Sequence, residues 1–248
     1  MYKIGLVSYT NVLPFLFGLS DLKSVKLYYD YPSVLSEKFF RGEYDIALLP
    51  VASIFNMGEE VGIISDYCIG ANGRVDTVML YSETPLLVIK KIILDYQSIT
   101  SVKLIKVLDK FFLRKKFEFV KSKSDDYIKD IGKTTAGLVI GDRTFELNRK
   151  FPYRYDLAKI WFDFTGLPFV FAVWVYRKDK VSKKFIDVFD LALNIGVENI
   201  DFVVNKFKRK VNIPSDELRN YLENRISYYY DYDKKKAVNL FLELAQSV

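Results

Sequence analysis

The run Phe169 to Val175 (FVFAVWV) constrains this chain most: seven consecutive apolar residues, three aromatic and three valine, with no polar alternation. Such a run reads as a strand buried on both faces. The turn Thr165-Gly166-Leu167-Pro168 precedes it, and Gly166 and Pro168 force an irregular backbone there. Upstream, Asp156-Leu157 opens a segment carrying Trp161, Phe162 and Phe164. A polar turn delivered by a buried strand suits a ligand cleft, and it equally suits an ordinary loop.

The rest of the chain alternates. Apolar strand patterns at 2–7, 25–29, 45–49, 61–65 and 75–82 are interleaved with helical or turn segments. Pro14 stands in the first turn of a short helix, where proline is tolerated. A second series follows, with strands expected at 91–94, 117–120 and 136–140. Its helices are expected at 102–112, at 125–131 with Ser124 as cap, and at 143–150. After Arg177 no strand pattern remains, and four helices are expected over 182–195, 200–211, 215–229 and 233–246. Two β/α series with a helical tail predict an α/β fold of two doubly wound lobes with a ligand cleft between them, the C-terminal helices resting on lobe 1. Hinge crossings near 83–85 and 177–179 then make lobe 1 discontinuous, residues 1–84 plus 178–248, with residues 85–177 as lobe 2.

Composition narrows the chemistry. Histidine is absent, which excludes Ser-His-Asp and Cys-His catalysis and every histidine-containing metal site. One cysteine, Cys68, leaves no intrachain disulfide. No phosphate loop, dinucleotide glycine triplet or Cys/His metal pair occurs, so neither a cofactor nor a metal is expected. The net charge of +6 favours an anionic small-molecule partner. The basic residues are dispersed and no nucleic-acid motif accompanies them. No apolar run is long enough to span a membrane, and the first residues lack a secretory pattern, so a cytoplasmic protein is expected.

Four polar loops border strand ends and would face the cleft: Ser8-Tyr9-Thr10-Asn11, Thr77 with its neighbours, Ser98 to Ser101, and Thr165-Gly166. Hydroxyls at helix starts bind carboxylates without a formal cation. Each loop also has a plain structural reading. Ser98 to Ser101 can be an N-cap, Asn11 an Asx-turn, and Asp142 a first-turn helix acid. Trp161 and Trp174 read as core. The residues by themselves reach a two-lobed binder of a small anion.

The stretch DLAKIWFDFTGLPFVFAVW at 156–174 resembles the pattern D-L-x-x-x-W-x-x-x-T-G-L-P-F-V-F-A-x-W of the chorismate dehydratase family of the futalosine route to menaquinone. Further matches fall in order along the chain. Tyr9 to Pro14 resembles Y-x-N-A-L-P, Asp45 to Val51 resembles D-x-A-L-x-P-x, and Gly73 to Ser82 resembles G-x-V-x-S-V-x-L-x-S. Leu94 to Ser101 resembles L-D-x-x-S-R-T-S, Leu138 to Asp142 resembles L-L-I-G-D, and the tail 226–245 resembles the family's closing helix pair. The resemblance implies a fold like type 2 periplasmic binding proteins and dehydration of chorismate, a dianion, to 3-[(1-carboxyvinyl)oxy]benzoate. It implies Asn11 and Thr77 at the reacting region. Substrate contacts are implied from Ser8, Tyr9, Pro50, Ser98, Thr100, Ser101, Asp142, Thr165 and Gly166. Two positions depart from the pattern: Thr77 replaces the usual serine and Ile99 the usual arginine. Two other readings stand beside this one. One is a 1,4-dihydroxy-6-naphthoate synthase-like enzyme, whose histidine base this chain lacks. The other is a non-catalytic cytoplasmic small-anion-binding or sensor protein.

Overall fold

The apolar runs pair into two separate sheets. In a computed structural model, which describes residues 1–248 apart from the Asn56 side chain, the first sheet holds β1 (Tyr2–Val7), β2 (Val25–Asp30), β3 (Ile46–Pro50), β4 (Val61–Ala71), β10 (Phe169–Arg177) and β11 (Ser227–Tyr229). The second holds β5 (Val78–Ser82), β6 (Lys91–Leu94), β7 (Glu118–Lys121), β8 (Thr135–Ile140) and β9 (Tyr153–Asp156). One plan serves both. The first sheet runs β2-β1-β3-β10-β4 with β11 at the edge, and the second runs β7-β6-β8-β5-β9. In each, three parallel strands are followed by one antiparallel strand that arrives from across the molecule.

This exchange moves the expected boundaries. β5 pairs with β8 and β9 of the second sheet, and β10 pairs with β3 and β4 of the first. The chain therefore crosses at 72–77 and again at 157–168, ahead of the crossings expected at 83–85 and 177–179. An apolar run identifies a strand but says nothing of which sheet it joins. The C-terminal tail also departs from expectation. The helix expected over 215–229 ends at Asn224, and Ser227–Tyr229 becomes an edge strand on β4. Tyr228 there points into the core, edge-on to Phe15 at 5.3 Å, while Tyr229 is exposed.

Helices cover the sheet faces: α1 (Leu13–Leu19), α2 (Pro32–Phe40), α3 (Thr100–Val107), α4 (Arg143–Leu147), α5 (Leu157–Thr165), α6 (Lys183–Val197), α7 (Ile200–Phe207), α8 (Ser215–Asn224) and α9 (Tyr232–Ala245). The C-terminal set is fixed to the first sheet by α6 lying backbone to backbone on α1. A β-carbon on Gly18 would sit 1.8 Å from the Ala192 carbonyl, and one on Gly196 would sit 1.6 Å from that of Pro14. β10 runs through the centre. Its Trp174 is fully buried, edge-on to Phe15 and Phe189 at 5.6 and 5.0 Å. Trp161 is also fully buried, and its Nε1 donates to the Pro168 carbonyl at 3.1 Å. Both tryptophans are core, as the sequence indicated, and truncating either to alanine would cost about 3–5 kcal/mol.

Candidate active site

The carboxyl ends of the parallel strands converge where the two sheets meet, the usual ligand position in doubly wound folds. β1 ends at Val7 and runs into Tyr9 and a 3-10 turn over Thr10–Val12. β8 ends at Ile140 and runs into Gly141. β6 is followed by the loop that starts α3. Between the sheets these segments enclose a cavity of about 60 Å³, room for about four waters. Val7, Tyr9, Asn11, Pro32, Pro50, Ile69, Val75, Thr77, Val78, Ser98, Ile99, Thr100, Ser101, Ile140, Gly141, Phe171 and Ala172 line it. No charged side chain is among them.

Hydrogen bonds hold the cavity's two sides together. The Tyr9 hydroxyl donates to Gln97 Oε1 at 2.6 Å. The Asp142 carboxylate accepts from the Thr10 N–H at 3.0 and 3.1 Å and from the Thr10 hydroxyl at 2.8 Å. The Ala52 N–H donates to Thr100 Oγ1 at 3.2 Å, and that hydroxyl donates to the Phe171 carbonyl at 3.2 Å. Burial raises the Asp142 carboxyl above its ordinary value, and the Thr10 bonds pull it back only in part. At the chain crossings a second buried carboxylate, Asp156, accepts from four backbone N–H groups. Val75 and Asp76 reach it at 2.9 and 2.7 Å from one crossing, and Ala158 and Lys159 at 3.0 and 3.1 Å from the other. Asp156 thus caps α5 and fixes the backbone that carries Thr77.

Polar side chains interrupt the apolar walls on both sides. Asn11 and Thr77 both line the cavity. The Asn11 Oδ1 is buried and has no hydrogen-bond partner. A buried amide oxygen left unpaired costs about 1–3 kcal/mol, which a ligand's donor would recover. The Thr77 hydroxyl is 2.8 Å from the hydroxyl of Tyr221, a buried residue of α8. Sequence reasoning missed Tyr221, because with Leu218 and Leu222 it reads as one more apolar position on a helix face. Across the cavity, the first N–H groups of α3 have no intrahelical acceptor, and Ser98 Oγ takes up one of them, that of Ser101, at 3.0 Å. The helix start offers the remaining N–H groups and its positive dipole end to an anion.

Tyr9, Asn11, Pro50, Thr77, Ser98, Thr100 and Ser101, each expected at the site, come together on this cavity. Four others do not. Thr165 and Gly166 terminate α5: Gly166 takes the left-handed conformation of a helix C-cap (φ 68°), and the Thr165 hydroxyl donates to the Trp161 carbonyl at 2.8 Å. Asp142 spends its carboxylate on Thr10, and as an anion it would repel a carboxylate ligand. Ser8 lines a separate surface depression with Leu16 and Phe207. A larger cavity of about 490 Å³ lies beside α8, but Arg74 and Arg225 in its wall are both committed to Asp76. No group of acidic, cysteine or histidine residues able to hold a metal ion occurs among the described residues. No helix there is long and apolar enough to cross a membrane.

Two sheets of one strand plan closing on a small internal cavity define the class: the periplasmic-binding-protein fold. Solved structures agree. Protein AF1704 from Archaeoglobus fulgidus is similar with a TM-score of 0.77 at 14% identity, over 99% of this chain and 97% of that one. The Candida albicans CA3427 product, described as having the generic periplasmic binding protein fold, gives a TM-score of 0.70 at 13% identity, over 100% and 90% of the two chains. The chain belongs to the menaquinone biosynthesis family, whose model matches residues 2–247. A relative named chorismate dehydratase from Thermus thermophilus is 26% identical over 98% of this chain and 94% of its own length. A second of that name, from Campylobacter jejuni, is 31% identical over 44% of this chain and 45% of its own.

Proposed function

We propose that this protein is a carbon–oxygen lyase that dehydrates chorismate to 3-[(1-carboxyvinyl)oxy]benzoate, on the route to menaquinone. The observation that carries this reading is an uncharged cavity lined by both Thr77 and Asn11, whose buried Oδ1 has no hydrogen-bond partner. Relatives named chorismate dehydratase and the menaquinone family model support the same substrate.

The reaction asks little of a base. The ring carbon bearing the enolpyruvyl ether loses its proton, the C–H pair becomes a ring π bond, and the neighbouring C–O bond breaks. The departing hydroxyl ends as water, and the ring becomes aromatic. With no histidine in the chain and no charged side chain in the cavity, a carboxylate of the substrate itself is the base in this reading. It takes the proton and passes it to the departing oxygen. Asn11 and Thr77 hydrogen-bond the reacting region, one of them assisting departure of the hydroxyl. The N–H groups at the start of α3, with Thr100 and Ser101, hold a carboxylate. The protein's contribution is orientation and exclusion of water. A cavity for about four waters admits chorismate only after the two sides part, so binding includes a closure step.

Purified protein incubated with chorismate tests the proposal, with the aromatic product followed by ultraviolet absorbance and identified by mass. Turnover supports it. Binding without turnover favours a sensor, and neither binding nor turnover refutes chorismate as the ligand.

A further inference from the structure

We propose that Tyr221 is a positioning residue for this dehydration: its phenol donates to Thr77 and so holds the Thr77 hydroxyl as a donor directed into the cavity. The inference rests on the dehydratase reading and adds to it a residue from the C-terminal helices.

The geometry is one of forced satisfaction. Tyr221 is 3% exposed, and its hydroxyl lies 2.8 Å from Thr77 Oγ1, with the Asn11 side chain also beside it. A buried phenol proton must be given to an acceptor; Asn11 Oδ1 takes no hydrogen bond, which leaves Thr77 Oγ1 as the acceptor. Once that oxygen has accepted, the threonine's own hydrogen is free of Tyr221. The open direction is the cavity that Thr77 lines. Thr77 then faces ligand as a donor, while Asn11 Oδ1, unpaired in the same cavity, faces it as an acceptor. A substrate hydroxyl both accepts and donates, so the two groups together complement the hydroxyl that leaves. Burial keeps the Tyr221 phenol far above its ordinary pKa, so it remains a donor throughout the working range.

Tyr221 itself stays out of the cavity. Its ring is edge-on to Phe145 of α4 at 5.2 Å. The phenol is therefore braced by α4 of the second lobe, although it stands on α8 of the first. The hydroxyl it steers belongs to the crossing that leads into β5. Thr77 is thus directed toward the substrate only while α8, α4 and the crossing are in register.

Tyr221→Phe removes the hydroxyl and keeps the ring. In chorismate turnover, kcat per folded enzyme should fall about tenfold to a hundredfold while KM stays within about threefold, the signature of lost orientation. A Thr77→Ser background, which keeps the hydroxyl, should show the same loss on adding Tyr221→Phe. In a Thr77→Val background the residual rate should not change further. An unaltered kcat with only a lowered Tm would reduce Tyr221 to packing and overturn the proposal. So would a second full loss in the Thr77→Val background. Absence of turnover in the unaltered protein would refute the dehydratase reading and take this role with it. A wild type that turns over beside an unaffected Tyr221→Phe variant would sink this role alone.

Discussion

Substituting alanine at Gly141 should hold the cleft open. Gly141 follows β8 with φ at 71°, in the left-handed region, and its face is covered by the Tyr9 ring from the other side of the cavity. A β-carbon there would stand 2.5 Å from Tyr9 Cε1 and 2.6 Å from Cδ1. Two costs follow, and they act on different equilibria. Left-handed backbone in a non-glycine residue costs about 1–2 kcal/mol whether the cleft is open or closed, so it lowers folding stability alone. Overpacking against Tyr9 costs about 1–3 kcal/mol. That cost exists only when the two sides meet, and parting them relieves it. The second term is therefore charged to closure, and chorismate affinity should weaken by about 5- to 150-fold. Gly166→Ala is the control, because Gly166 has φ at 68° and nothing within 4 Å of its β-carbon position. It should carry the backbone cost with unchanged affinity. Calorimetry gives Tm for both variants, and titration with chorismate under single-turnover conditions gives affinity. If Gly141→Ala weakens binding no more than Gly166→Ala does, the Tyr9 ring is not part of the closed state and the reasoning fails.

Three further outcomes are expected. Asp156→Ala strips the acceptor from four backbone N–H groups; it should cost about 3 kcal/mol, near 6–12 °C in Tm for a chain of this length, and thermal melts showing under 2 °C would contradict the anchoring role. Burial raises the carboxyls of Asp95, Asp142 and Asp156 above the ordinary value of 3.8. In the window between that value and the raised ones, the folded protein holds protons that the unfolded chain has released. Stability therefore falls as pH rises through the window and is level above it, so Tm should climb as pH is lowered from neutrality into the window, and a steady fall over that range would refute the assignment. Ile99→Arg places a cation beside an uncharged cavity; it should lower KM for chorismate about tenfold through a charge-assisted contact, with an effect that shrinks as salt is added, and steady-state kinetics at two ionic strengths would show a KM that fails to move.

Much of the fold was legible because hydrophobic burial writes itself along a strand. Phe169 to Val175 could be placed in the centre of the molecule from its lack of alternation alone, and it lies there. Which sheet it joins was not legible. β5 and β10 each leave the series in which they stand in sequence and insert antiparallel into the opposite sheet, and pairing of that kind depends on contacts about 60 to 100 residues away. The short strand Ser227–Tyr229 was hidden for another reason: with three residues on an edge it has no period to display. At the site, the loops after β1 and before α3 were found because a strand end beside a helix start is a local pattern. Thr165-Gly166 was misplaced because the same two residues serve a ligand turn and a helix C-cap equally well. A glycine directly after an apolar helical face was the signal that favoured the cap. Tyr221 was invisible, since a tyrosine among leucines on an amphipathic helix reads as packing until its hydroxyl is seen 2.8 Å from Thr77.

The uncharged cavity and the buried phenol belong to one physical scheme. In the proposed dehydration, aromatisation of the ring already drives loss of water, so the task left to the protein is to bring proton, base and leaving hydroxyl into line. Cations in the wall would strengthen ground-state binding of both carboxylates, and they would also damp the basicity of the carboxylate that must take the proton. Walls built from Val7, Ile69, Val75, Val78 and Phe171 would leave that carboxylate poorly solvated and therefore more basic. The start of α3 supplies N–H groups without a full charge for the other carboxylate. In the proposed reaction, orientation then falls to Asn11 Oδ1 as acceptor and the Thr77 hydroxyl as donor. A threonine hydroxyl by itself can point any of three ways. In the proposed arrangement the Tyr221 phenol donates to it, one oxygen lone pair is committed, and the hydrogen is left for the substrate. A cleft with so little polar surface therefore works only if each polar atom is fixed from behind. Asp156 does this for the backbone that carries Thr77, and in the proposed arrangement Tyr221 does it for the hydroxyl.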